Sequence, residues 1–232
     1  ASDVYKRQII GSIGNIAIGY QAGYTGQGVT GAGAPALSNT IAIGYQAGYQ
    51  GQQLSSIAIG YQAGNTNLNN GCVVIGHQAG TTNVGVNSVA IGFQAGQTTT
   101  NNNFVAIGNK AGGGIGGAAN NSVAIGSAAG NAGMSQYSVA VGNGAGSTNL
   151  GSGAVGIGYQ ALNSTSGTGS IGIGLYSIAQ TNAQAFSVNI GCQAGTTYAG
   201  TGSINIGLNA GVTGQSQNSV VIGTPNTNIS PY

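Results

Sequence analysis

Apolar and polar positions along this chain repeat with a fixed grammar. Val or Ile stands three and one positions before a glycine that recurs at 19, 44, 60, 76, 92, 108, 126, 142, 158, 174, 191, 207 and 223. Between the two stands a third residue, usually small, as in Ala42, Ala90 and Ala124. Apolar–x–apolar is alternation with period two, which predicts a short strand with its β-branched side chains on one face. Nine of the twelve intervals between these glycines are 16 residues, and the others are 25, 18 and 17. A period of this length marks a stacked-repeat architecture.

Aligned on that glycine, the other columns become legible. Four before it the residue is mostly Ser, as in Ser56, Ser88, Ser122 and Ser138. Five before it, Asn or Gly occurs in ten of thirteen copies. These two residues share a tolerance of positive φ, so the column reads as a corner. The glycine never varies, which suggests a second corner or a close backbone approach. Gly recurs four after it. Thr recurs six after it, at Thr25, Thr66, Thr82, Thr98, Thr148, Thr197 and Thr213, and apolar residues return eight after it at Leu68, Val84, Met134 and Leu150.

Each copy is therefore expected to be two short strands and two turns. One copy cannot bury its apolar face alone, but a stack of copies can. The fold class expected is all-β: a parallel β-solenoid, or β-roll, of about 13 coils, each rising ~4.8 Å. The Val/Ile positions are expected to point into the coil and the Ala column outward, against another chain or another sheet. The nine-residue insertion is expected as a loop around 26–35. Three segments follow: a non-native or artefactual leader at 1–8, the solenoid at 9–224 and a non-repeat tail at 225–232.

Composition excludes much of the usual chemistry. Gly accounts for 47 of 232 residues and charged residues for 2%. Asp3, Lys6 and Arg7 lie in the first eight residues. Beyond them stand one lysine, Lys110, one histidine, His77, and no side-chain carboxylate. No Asp or Glu is there for acid–base catalysis or for a Ca²⁺ or Mg²⁺ site. No Lys/Arg cluster is there to hold nucleic acid. The expectation is no enzyme, no catalytic, metal or cofactor-binding residue, no cofactor, and no membrane insertion by this segment.

The phrase Asn87-Ser88-Val89-Ala90-Ile91-Gly92, repeated as Asn121-Ser122-Val123-Ala124-Ile125-Gly126, resembles the head repeat of YadA-like trimeric autotransporter adhesins. Similar repeats occur in phage and viral tail fibres. The resemblance covers about residues 12–224. It implies a left-handed β-roll wound as three chains around one axis and a role in attachment to host matrix or other surfaces. The family's basic neck, coiled-coil stalk and barrel anchor do not appear in this sequence, and its repeat is usually a little shorter than 16.

Several slots invite sharper readings. Tyr20, Tyr45, Tyr61, His77, Phe93 and Tyr159 follow the glycine directly, either as a strip for stacking carbohydrate or as a ladder of like rings. Gln21, Gln46, Gln62, Gln78, Gln94, Gln160 and Gln193 come next and read as an amide ladder, with Lys110 solvated in the same slot. The Thr column raises ice binding, although the single rank is broken by Gln50, Gly114 and Ala132. Asn120, Asn163 and Asn228 begin N-x-S/T sequons. Cys72 and Cys192 fall seven coils apart in different columns, so no intrachain disulfide is expected.

The function expected is a structural and adhesive extracellular fibre module that mediates surface attachment. Its expected partners are copies of itself, as homotrimer or filament, and a host or environmental surface such as glycan or matrix protein. The location expected is extracellular, on a cell or virion surface. A tail-fibre shaft and a self-polymerising filament subunit are the alternatives.

Overall fold

The computed structural model describes residues 14–25, 39–98, 101–114, 119–164, 166–178, 184–197 and 199–223. The leader at 1–8, the insertion around 26–35, the tail at 225–232 and the sequon at Asn228 lie outside them. The chain divides into two compact units, Ala1–Ile115 and Gly116–Tyr232.

In the first unit, strands Ile16–Ile18, Ile41–Ile43, Ile57–Ile59, Val73–Ile75, Val89–Ile91 and Val105–Ile107 pair parallel in that order. In the second, the order is Val123–Ile125, Val139–Val141, Val155–Ile157, Ile171–Ile173, Val188–Ile190, Ile204–Ile206 and Val220–Ile222. Like pairs with like: Ile41 with Ile57, Ala42 with Ala58, Ile43 with Ile59. From the second coil of each unit onward, the recurring glycine donates its N–H to the carbonyl just before the glycine of the preceding coil, as Gly60 does to Ile43 at 2.7 Å and Gly76 to Ile59 at 2.8 Å. A second face carries shorter pairings, Thr66–Leu68 with Thr82–Val84 and Ala132–Met134 with Thr148–Leu150. The protein is thus an all-β parallel solenoid with a period near 16 residues and about eleven turns. Each stack closes one turn fewer than it has strands.

The corners fall where the columns place them. The residue five before the glycine has positive φ in every coil, including Ser55 (φ 55°), Tyr137 (60°) and Phe186 (60°), where neither Asn nor Gly is present. The invariant glycine sits at φ near 130°, and a Cβ at Gly60 would lie 2.5 Å from the Gly76 carbonyl oxygen. No other residue fits that approach.

The inside and the outside of the strand are reversed from expectation. Ala42, Ala58, Ala106, Ala124 and Ala140 are fully buried, while the Val and Ile on either side of them are half-buried to exposed. The alanines face the interior of their own coil, not another chain or sheet, and the β-branched ranks face outward. The reason is the width of the coil. A Cβ built on Gly64, across from the strand, would lie 3.4 Å from the Ala58 methyl. Opposite walls this close leave room for methyls, not for two isoleucines on every rung.

What fills the interior is a small number of larger side chains whose source column changes; in one coil the strand itself contributes Val74, buried together with Val84. The source is the position eight after the glycine for Leu68, Val84, Met134 and Leu150, all buried. Gln52 fills the same slot and donates its amide to the Ile41 and Ser56 carbonyls at 2.9 and 3.0 Å. Phe104 comes from the serine column. Leu162 and Ile178 come from the position that is Gly elsewhere, in coils whose inner strand residue is Gly156 or Gly172.

Candidate functional site: the lateral ladders

The outer surface repeats each coil's chemistry along the stack, so any functional feature is a column rather than a cleft. In the first unit the slot after the glycine forms a ring ladder. Centroids are 5.4 Å apart for Tyr20–Tyr45, 5.2 Å for Tyr45–Tyr61, 4.9 Å for Tyr61–His77 and 5.3 Å for His77–Phe93, with interplanar angles of 9–19°. Between like rungs the ring faces cover one another, so a sugar has only ring edges and the hydroxyl tips to meet there. This argues for the ladder over the carbohydrate-stacking strip. Tyr159 lies in the second unit and packs edge-on against Tyr176, at 5.2 Å and 85°. That contact includes a hydrogen bond which raises the Tyr176 phenol above its usual range.

The amide ladder is continuous from Gln21 to Gln94. Gln46 donates to Gln21 Oε1 at 2.9 Å, Gln62 to Gln46 at 3.0 Å, Gln78 to Gln62 at 3.1 Å and Gln94 to Gln78 at 3.1 Å. Every residue in this slot is left-handed, with φ near +50° at each glutamine. Sequence reasoning missed this, because Gln carries no left-handed preference. The only signal was its regular place between two glycines. Lys110 stands next in the slot and is exposed. In the second unit Gln160 falls between Gly144 and Tyr176, so no amide stands in register beside it.

Two further ladders escaped the columns. Tyr24 and Tyr49 stack at 5.3 Å, and Asn67 donates to Asn83 Oδ1 at 2.8 Å. Each occupies only two coils, too few to stand out as a column. The threonine rank is broken as expected: Thr25 bridges Gln50, Gln50 bridges Thr66, and Thr82 bridges Thr98. Asn163 holds the Ser147 hydroxyl through its side chain.

The interior holds the remaining chemistry. Cys72 takes a serine slot, is buried, and donates to the Gly85 carbonyl at 2.9 Å. Burial pushes its thiol above the usual range, with the backbone bonds of Ser88 and Asn87 acting weakly the other way. Cys192 is half-buried in the ring slot, and both thiols are free. In the second unit Asn189 and Asn205 replace the inner alanine. Asn205 donates to Asn189 Oδ1 at 2.8 Å, leaving Asn189 Nδ2, Asn205 Oδ1 and the Ser187 and Ser203 hydroxyls buried without partners. His77 sits in the ring ladder, and among the described residues no three of His, Cys, Asp or Glu gather as a metal would need. No helix is long and apolar enough to cross a membrane among those residues.

The remaining surface feature is the double rank of Val and Ile on each main sheet. Ile43, Ile59, Ile75 and Ile91 in the first unit are half-buried, and Ile125, Ile157, Ile190 and Ile206 in the second are exposed. A sheet whose β-branched face is its outer face has not found its partner within its own coil. No family model, curated protein or solved structure matches this chain.

Proposed function

We propose that this chain is a structural and adhesive module of an extracellular fibre, not an enzyme, and that it works as several copies lying side by side. The single observation that carries the reading is the outward double rank of Val and Ile. A strand spacing of ~4.8 Å and a width of three residues give a face of roughly 250–300 Å² on each unit. Each face by itself is already about the lower end of the largest patch a monomer leaves in water, on the order of 300–600 Å². Another copy is the partner best suited to cover them, since it has the same axial repeat and can match its ranks rung for rung. Three copies is the number that the resemblance to the adhesin head repeat implies.

The near-absence of charge supports the same reading. Packing one uncharged face on another strips no ions of water, and a chain near zero net charge is prone to associate. The lateral columns left outside, the amide and threonine ladders with the edges and hydroxyl tips of the ring ladder, would then be the surface offered to a glycan or matrix protein. The test is the mass of the purified chain in solution by light scattering, over a wide concentration range. A discrete assembly of three copies is expected. A monomer at every concentration overturns the proposal, and mass that grows without limit selects the self-polymerising filament instead.

A further inference from the structure

We infer that the surface around Leu175, Cys192 and Leu208 in the second unit is where one copy of this chain grips another. This rests on the self-association proposed above and says where its strongest contact lies. The slot after the glycine differs between the units. In the first it holds the stacked rings, whose faces are covered by each other; Tyr20, Tyr45 and Tyr61 end in hydroxyls and His77 carries ring nitrogens, so Phe93 is the one ring of the ladder with a wholly apolar edge. In the second, three consecutive coils place Leu175, Cys192 and Leu208 there. Leu175 is 45% and Leu208 51% exposed, and neither has a polar tip to keep in water.

Two residues earlier along the chain stand Ile173, Ile190 and Ile206, the last two 37% exposed. On these coils the apolar surface therefore runs from the strand across the glycine corner. Elsewhere in the second unit the corner is followed by Ser127, Asn143 or Tyr159. Two residues beyond the strand and two inter-coil steps along add roughly 60 Å² to the strand ranks of the same unit. Together these make on the order of 350 Å², against about 800 Å² per partner in a stable pair. The patch is thus a grip that also needs the ranks beside it, so its occupant must follow the same axial repeat over several coils.

Charge points to the same occupant. Gly116–Tyr232 contains no Asp, Glu, Lys, Arg or His. A charged partner gains nothing on this surface, whereas a second copy of the same unit brings an equally uncharged, equally spaced face.

The experiment compares two double variants that place the same neutral amide in the same slot: Leu175→Gln with Leu208→Gln, and Tyr45→Gln with Tyr61→Gln. Association is followed by light scattering against dilution, and the β-sheet spectrum is recorded for both. The leucine pair is expected to raise the concentration needed for assembly at least tenfold, and the tyrosine pair to leave it within about twofold. Assembly of the leucine variant at the wild-type concentration overturns the inference while leaving self-association standing. A wild-type chain that never assembles removes both. A second readout needs no substitution: Cys192 should react with a maleimide at least tenfold more slowly in the assembled protein than in the diluted one. An unchanged rate also overturns the inference.

Discussion

The coil from Ser56 to Leu68 and the coil from Ser187 to Ala199 solve one packing problem in two ways. Both have an inner Ser, an inner Ala after the corner (Ala63, Ala194) and a left-handed Gly (Gly64, Gly195). The first fills its centre with Leu68 against Ala58; the second with Asn189 against Ala199. Ala plus Leu and Asn plus Ala carry the same number of side-chain heavy atoms. A third solution, Gly156 with Leu162 and Ser166, brings the large residue in from the glycine slot, with Leu162 at φ 49°. The interior thus specifies a volume and leaves open which position supplies it. The hydrocarbon and amide fillings differ in cost, because the amide filling leaves buried polar atoms without partners.

The largest effect should come from overfilling. Gly64→Leu places a Cβ 2.9 Å from Leu68 Cδ2 at a φ of +54°, and should lower stability by about 3 kcal/mol or more in urea unfolding. Adding Ala58→Gly and Leu68→Ser copies the arrangement around Leu162, and should restore all but about 1 kcal/mol. If the triple variant is no better than the single one, the three solutions are not interchangeable and the comparison fails.

The amide filling offers the next test. Replacing Asn189 and Asn205 by Ala while introducing Ala199→Leu and Gln215→Leu converts it into the hydrocarbon filling of the first unit. Removing the orphaned amide groups should raise stability by about 1–3 kcal/mol. A loss under the same urea titration would mean that the Asn189–Asn205 bond contributes more than its unpaired ends cost.

The smallest effect concerns the serine slot. Burial raises the Cys72 thiol, so the folded state holds its proton at pH values where the unfolded chain releases it. The contribution to stability is whole below the unfolded value of about 8.5 and is lost as pH rises through the folded value. Stability should therefore fall above about pH 8.5, and Cys72→Ser should flatten that slope. Equal slopes in the two proteins would assign the fall to other groups.

Much of the architecture was legible because a repeat reports the same constraint many times. The coil period, the strand at each Val/Ile pair, the corner five before the glycine and the return of apolar residues at Leu68, Val84, Met134 and Leu150 all follow from columns, whereas the burial of those four was decided by the structure. The glutamine ladder was legible for the same reason. What escaped was whatever occurs once or twice: the Tyr24–Tyr49 stack, the Asn189–Asn205 pair, and the exchange of Leu162 for a glycine. The apolar patch at Leu175 and Leu208 is likewise visible only when exposure is known.

By itself, the sequence determined that the chain winds in 16-residue coils, where each coil turns, and which side chains stand in register from coil to coil. Those follow from local stereochemistry: alternation makes the strand, and only glycine fits the invariant corner. Alternation separates two faces of a strand but does not say which is inside. Only the tertiary structure decided that, and it set alanine inward and the β-branched residues outward, against the expectation from hydrophobicity. The deciding quantity is the distance between opposite walls of the coil, which leaves space for a methyl on most rungs and for few larger side chains. The residues best suited to a core were left on the surface.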